Sequence, residues 1–145
     1  MIMMSSGGMY LQPLRVDDIE YRCGDYHGAA AYARTKRMQV ALTSVLADRY
    51  AAQSISVHAM HPGWVGTPGI ATSLPRFRRL MAPLLRTPAE GADTAVWLAA
   101  TDVPSGRFWH DRRARPEHYL RRTRESDSDR EGLWRYCASA AGLVS

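Results

Sequence analysis

Cysteine is scarce in this sequence of 145 residues, which contains only Cys23 and Cys137. Two cysteines with no CxxC spacing argue against a disulfide-rich secreted domain and against the common zinc-binding patterns. Long apolar segments are also absent, because no stretch reaches the roughly 18 to 20 residues that cross a bilayer. The first residues lack the basic region and long apolar core of a signal peptide. These absences predict a cytoplasmic protein without a membrane span.

Charge of one sign is in small excess, since 19 Lys and Arg residues stand against 14 Asp and Glu residues and give a net charge of +5. Many arginines lie between Arg107 and Arg135, but acidic residues interrupt them and no aromatic platform for stacking bases accompanies them. We therefore interpret this segment as a solvated surface and expect no nucleic-acid partner.

Histidines are few and dispersed along the chain. Of the five, His58 and His61 form the one close pair. They fall on a predicted strand and its exit with few carboxylates nearby, which favours core or loop residues over metal ligands. We predict no metal site.

The 145 residues are 46% hydrophobic and 23% charged, which is typical of a globular domain. Their apolar periodicity predicts an alternation of strands and helices. A strand, helix, strand, helix, strand order implies a parallel sheet with right-handed crossovers. The predicted strands are residues 1–6, 55–60 and 106–109; the predicted helices are 29–52, 87–100 with Thr87 as N-cap, and 129–141.

Two segments are predicted to be irregular. Residues 7–28 hold neither a helical nor an alternating period and are rich in Gly, Asp and Tyr, so they predict a long loop. Residues 71–85 are basic and apolar and are interrupted by Pro75 and Pro83. This pattern favours a mobile, partly helical flap. We place the α/β unit at residues 1–110 and a charged tail with a terminal helix at 111–145.

Tyr32 and Lys36 are four positions apart on the most strongly predicted helix, so their side chains leave the same face. A neighbouring ammonium stabilises a phenolate and brings a tyrosine towards the pH range that is useful for proton transfer. The pair can therefore serve as a general acid and base. Taken alone, this spacing also fits an ordinary structural pair on a helix surface.

The order of the neighbouring motifs makes the pair more specific. A strand that ends in Ser5, Ser6 and Gly7 precedes the helix, and a strand that ends in His61-Pro62-Gly63 follows it. In this order the chain resembles the short-chain dehydrogenase/reductase family over residues 3–109. Within that family it is most similar to the retinol-dehydrogenase-like and member-12-like branches.

The resemblance implies a partial Rossmann-like, doubly wound parallel sheet, with the last three strands, two crossover helices and a C-terminal helical tail. It also implies that Ser6 binds the substrate oxygen, that Tyr32 transfers the proton, and that Lys36 lowers the pKa of the tyrosine and holds the nicotinamide ribose. Ser5 is the rival for the serine role. The implied cofactor is NAD or NADP, and the residues implied to contact it are Tyr32, Lys36, Pro62, Gly63, Val65 and Thr67.

The family's Gly-rich turn and its Asn-Asn-Ala-Gly run do not occur in this sequence. Without a Gly-rich turn, the pyrophosphate has no close approach to a helix N-terminus. We therefore expect the C-terminal half of an oxidoreductase that acts on a carbonyl or alcohol substrate, truncated and inactive alone. The alternative is a non-catalytic fragment that interacts with a full-length relative. The resemblance also implies a homo-oligomer through the Tyr32 helix.

Overall fold

The computed structural model describes residues 1–66 and 85–143. Within them, four short strands form one sheet in sequential order: β1 (Ile2–Met4), β2 (His58–Met60), β3 (Arg107–His110) and β4 (Arg113–Arg115). The first three are parallel to one another. The parallel sheet predicted from the sequence is therefore confirmed.

The fourth strand extends the sheet into the segment predicted to be a charged tail. β4 pairs with β3 in the antiparallel sense, and a two-residue turn at Asp111 and Arg112 joins them. Both turn residues have positive φ, 53° and 55°, as a type I′ hairpin requires. Such turns usually carry Asn or Gly, and because Asp-Arg lacks that signature the hairpin could not be predicted from the sequence.

Three helices surround the sheet in the described residues: α1 (Gly28–Tyr50), α2 (Pro88–Ala100) and α3 (Asp127–Ala140). α2 begins where the sequence predicted, because the Thr87 hydroxyl accepts from the Glu90 amide and the Glu90 carboxylate accepts from the Thr87 amide. Such a reciprocal cap satisfies two backbone donors of the first turn. No helix in residues 1–66 or 85–143 is long and apolar enough to cross a bilayer.

The two crossover helices cover opposite faces of the sheet. Val40 of α1 packs with Ala59 and Phe108 on one face. On the other face, Leu98 of α2 packs with the residues next along each strand, Met60 and Trp109. This alternation follows from the two-residue period of strands. The result is a three-layer arrangement of helix, sheet and helix.

The terminal helix packs along α1 rather than on the sheet. Leu133, which is fully buried, contacts Ala41 of α1 and Leu14 of the loop before α1. Cys137 packs against the same cluster. Trp134 lies at the rim, where the guanidinium of Arg49 is 4.5 Å from the ring centroid.

Candidate functional site

The carboxyl ends of β1 and β2 lie side by side at one edge of the sheet, and the first turns of α1 cross them. Ser5 and Ser6 leave β1, whereas His61, Pro62 and Gly63 leave β2. In parallel α/β sheets, ligands bind outside the carboxyl ends of the strands. The three motifs singled out in the sequence therefore converge where a ligand is expected.

The two serines have different surroundings. Ser5 is 2% exposed, and its hydroxyl donates to the Lys36 carbonyl oxygen at 2.9 Å. The Ser6 hydroxyl instead caps a short 3-10 turn over Gly7–Leu11 and accepts from the Gly8 amide at 3.4 Å. No residue in the described part of the chain accepts the Ser6 hydroxyl hydrogen. Ser6 is therefore the serine that can still donate to a ligand oxygen.

Ser6 also lies close to the start of α1. A Cβ placed on Gly8 would be 3.8 Å from the Ser6 Oγ and 3.8 Å from the Cβ of Ala33. Ala33 is the next residue after Tyr32. The loop of residues 6–11, called the serine loop below, and Tyr32 therefore border the same region of the sheet edge.

Tyr32 and Lys36 occupy one face of α1, as their spacing predicted. The Lys36 Nζ is 5.4 Å from the centroid of the Tyr32 ring, and the tyrosine side chain is half exposed. The ammonium donates to the Met4 carbonyl oxygen at 2.8 Å and to the Gln39 Oε1 at 3.1 Å. Partial burial lowers the pKa of Lys36. Because an ammonium has three hydrogens, one remains for a ligand.

The exit from β2 is a turn built around Gly63, which has φ +82°. A Cβ on Gly63 would lie 2.7 Å from the Nε of Arg86. The guanidinium of Arg86 is itself held by Asp111 through two bonds of 2.5 and 3.0 Å. The ion pair with Asp111 holds the Arg86 side chain against the Gly63 turn. The ion pair could not be predicted from the sequence, because the partners are 25 positions apart.

Val65 lies two residues further along and pairs with Arg86 in an isolated parallel bridge. It packs closely on Gly91 of α2, where an added Cβ would lie 2.4 Å from a Val65 methyl carbon. Thr67, the last predicted cofactor residue, and residues 71–84 of the predicted flap lie outside the described residues.

Alanine at Gly63 tests how strictly this turn is specified. Gly24 also has positive φ, +75°, but nothing lies within 4 Å of its Cβ position. Gly24→Ala should therefore cost only the backbone strain, about 1 kcal/mol of unfolding free energy. Gly63→Ala should cost about 1 kcal/mol more, because Arg86 must also move away from Asp111. Urea unfolding of both variants measures the difference, and equal losses would show that Arg86 is not fixed.

One further cluster brings together three potential metal-binding side chains of the tail, Glu117, His118 and Glu125, with donor atoms within 4.8 Å of one another. Arg130 donates to the Glu117 carboxylate at 2.9 Å and to the Glu125 carboxylate at 3.0 Å. The guanidinium thus already supplies a positive charge to both acids. The cluster joins the tail to α3 and lies outside the edge that carries Ser6, Tyr32 and Lys36.

The edge residues fit one end of a dinucleotide. They offer a hydroxyl donor at Ser6, a phenol at Tyr32, a spare ammonium hydrogen at Lys36 and a turn at Gly63 that lacks a side chain. These groups suit a nicotinamide and its ribose. The sequence contains no Gly-rich turn for the pyrophosphate, and within residues 1–66 and 85–143 the fit is to the nicotinamide end.

Comparison with known proteins gives relatives along most of the chain. It is 43% identical over 139 residues to dehydrogenase/reductase SDR family member 12 of Bos taurus, which covers 91% of this chain and 43% of that protein. It is 40% identical over 123 residues to the Homo sapiens protein of the same name, covering 81% of this chain and 38% of that protein. Retinol dehydrogenase 14 of Homo sapiens is 28% identical over 129 residues, covering 82% of this chain and 37% of that protein. No family model matches.

The chain therefore spans about two fifths of the length of the curated relatives it matches. Among solved structures, a crystal structure of an uncharacterised protein from Mycobacterium paratuberculosis aligns with a TM-score of 0.67 and 23% identity. The alignment covers 95% of this chain and 48% of that one. This likeness shows a Rossmann-like fold and confirms the predicted fold class.

Proposed function

Because the chain is a short-chain dehydrogenase/reductase-like protein, we propose that it carries the catalytic half of an NAD(P)-dependent oxidoreductase site for a carbonyl or alcohol substrate. The observation that supports this most is the meeting of three motifs at one sheet edge. Ser6 follows β1, the Lys36 Nζ lies 5.4 Å from the Tyr32 ring, and the Gly63 turn follows β2. Each supplies a different part of the chemistry.

The proposed roles follow from the hydrogen-bonding capacity of each group. The Ser6 hydroxyl, whose hydrogen is uncommitted, donates to the substrate oxygen and holds it beside Tyr32. The Tyr32 phenol passes a proton to that oxygen in reduction, or takes one in oxidation. The third hydrogen of the Lys36 ammonium binds a ribose hydroxyl, while Met4 and Gln39 hold the other two. The nicotinamide, when bound, supplies or accepts the hydride.

Pro62, Gly63, Val65 and Thr67 are proposed to form the wall against the nicotinamide ring. A glycine at the turn lets the backbone approach a flat ring closely. The predicted flap combines apolar residues with arginines, a composition that suits either a lipophilic or an anionic substrate. A reducing, cytoplasmic setting is in keeping with Cys23 and Cys137, which are both free thiols.

We expect the purified chain to show no nicotinamide-dependent turnover by itself. It lacks the Gly-rich turn that would hold the pyrophosphate, so NADH and NADPH should bind too weakly to react. The measurement is the change in dihydronicotinamide absorbance with a panel of simple aldehydes. Turnover that disappears in Tyr32→Phe would contradict this expectation and would show that the chain alone suffices.

A second candidate function is that of an interaction partner, and the outer edge of β1, which no strand of residues 1–66 or 85–143 covers, favours it. The Ser5 amide donates to the Met60 carbonyl at 2.7 Å, and the Met1 carbonyl accepts from the His58 amide at 2.9 Å. Because alternate amides of a strand face opposite sides, those of Ile2 and Met4 face away from β2. Met1 and Met4 are both about half exposed. Such an edge is a template for another strand.

Proline at position 4 tests this edge without disturbing the pairing with β2. Met4→Pro removes an outward-facing amide and keeps the backbone groups that pair with β2, so it should reduce concentration-dependent self-association and leave the fold intact. Sedimentation velocity over a range of concentrations measures the effect. If Met4→Pro associates as strongly as the unmodified chain, association uses another surface, such as the exposed side of α1 at Tyr32 and Thr35, which α3 leaves uncovered.

A further inference from the structure

His61 connects the two loops that border the candidate site. Its ring nitrogen Nδ1 accepts from the Gly7 amide at 3.2 Å and from the Gly63 amide at 3.3 Å. Gly7 directly follows Ser6, whereas Gly63 forms the turn after β2. One ring atom therefore holds the turn at Gly63 and the amide of Gly7, which is 54 positions from His61 in the sequence.

The ring is held tightly in this place. It stacks on the ring of His110 with centroids 4.7 Å apart, and the His110 Nδ1 is 2.8 Å from the His61 carbonyl oxygen. A Cβ on Gly7 would lie 3.0 Å from the His61 Nε2 and 3.4 Å from its Cε1. Glycine at position 7 therefore leaves just enough space for the imidazole to lie against the serine loop.

This geometry specifies the protonation state of the ring. Because Nδ1 accepts two amide hydrogens, it carries no hydrogen itself, and the neutral ring has its hydrogen on Nε2. Burial, followed by the neighbouring charges of His110 and Arg86, lowers the pKa of His61 to about 4. Asp111 opposes this shift.

We propose that His61 is a positioning residue. It sets the separation between the loop that follows Ser6 and the turn at Gly63, which is proposed to contact the nicotinamide. The proposal rests on the proposed function, in which Ser6 binds the substrate and Gly63 contacts the nicotinamide, so that the distance between them matters for catalysis. Without the shared acceptor, both amides would lose their partner and the two loops could move independently. His61 would then contribute to the site without contacting the substrate.

The same arrangement makes the coupling dependent on pH. A proton on Nδ1 would face the Gly7 and Gly63 amide hydrogens and break both bonds. The groups that face the ring are His110 at the end of β3, Asp111 directly after it, and Arg86 before α2. Since an unfolded histidine binds its proton near pH 6.5 and folded His61 near pH 4, the contribution of His61 to stability is complete above pH 6.5 and is lost as the pH falls to 4.

Amide hydrogen exchange measured by NMR on the whole chain tests the proposal. His61→Leu removes the acceptor and should speed exchange at both Gly7 and Gly63 by about tenfold. His61→Asn places an amide oxygen near the position of Nδ1 and should restore most of the protection. The matched control is His110→Leu, which removes the stacking partner but leaves the acceptor in place and should leave both glycines protected.

A second measurement needs no variant and applies even if His61→Leu does not fold. The ring ¹⁵N shifts of His61 should show an unprotonated Nδ1 and a protonated Nε2, with titration well below pH 6.5, the usual value for a histidine. A normal titration near pH 6.5, or exchange in His61→Leu that changes at neither glycine, would overturn the proposal. None of these readouts depends on cofactor binding, so a failure of the proposed function would be seen separately.

Discussion

Lys36→Met should strongly weaken the binding of nicotinamide mononucleotide, the half of the dinucleotide that carries the nicotinamide and its ribose. The Lys36 ammonium has one uncommitted hydrogen beside Tyr32, and a charge-assisted bond to a ribose hydroxyl contributes about 1.5 to 3 kcal/mol. For a ligand this small, a loss of that size weakens binding by about tenfold to a hundredfold. Amide shift changes on titration of the ¹⁵N-labelled chain measure it.

Arg49→Met is the matched control for this experiment. Arg49 also carries a positive charge on α1, but it lies near the far end of the helix and pairs with Glu131. If the ligand phosphate were attracted only by the net positive charge of the chain, both variants would weaken binding equally. A selective loss in Lys36→Met would show that the site itself binds the ligand. Urea unfolding checks that the loss of the Met4 contact has not unfolded the variant.

Arg37→Ala should destabilise the fold by about 3 kcal/mol or more. Arg37 is completely buried, and it donates to the Gln12 carbonyl at 3.3 Å and to the Glu117 carbonyl at 2.8 Å. It thereby ties α1 both to the loop that follows the serines and to the tail. Truncation leaves a cavity and two carbonyl oxygens without their partner, and each buried unsatisfied group costs about 1 to 3 kcal/mol.

The control for this prediction is an arginine of the same helix in an exposed ion pair. Arg49→Ala removes the pair with Glu131, whose two side chains are each more than a third exposed. Exposed pairs contribute about 0 to 1 kcal/mol, so this variant should unfold close to the unmodified chain. Similar midpoints in urea for Arg37→Ala and Arg49→Ala would show that the buried tie contributes little to the fold.

The parts of this fold that could be predicted from the sequence are those with a local signal. The helix of Tyr32 and Lys36 shows its period within its own residues, and the cap at Thr87 is marked by Pro88 and Glu90. The strand β4 could not be predicted in this way, because its turn at Asp111 reaches positive φ without glycine or asparagine. Its pairing with β3 is specified by tertiary packing.

The same distinction applies to the candidate site. Ser6, Tyr32 and Gly63 lie in motifs that can be recognised from residues close together in the sequence. The acceptor role of His61 was missed, and the sequence favoured a plain core or loop histidine, because one of its two donors is the amide of Gly7, far away in sequence. Arg37 was missed for a similar reason, since both of its carbonyl partners are distant and a lone arginine in a helix reads as a surface residue.

The most direct measurement is a paired NMR titration of the unmodified chain with nicotinamide mononucleotide and with ADP. If the chain holds only the nicotinamide end of the dinucleotide, nicotinamide mononucleotide should shift the amides of residues 6–8, Lys36 and residues 63–66. ADP, which carries the pyrophosphate and adenosine but neither the nicotinamide nor its ribose, should shift them little. Stronger shifts with ADP, or no shifts at these residues with nicotinamide mononucleotide at millimolar concentration, would contradict the assignment of Ser6, Tyr32 and Lys36 to a catalytic half-site.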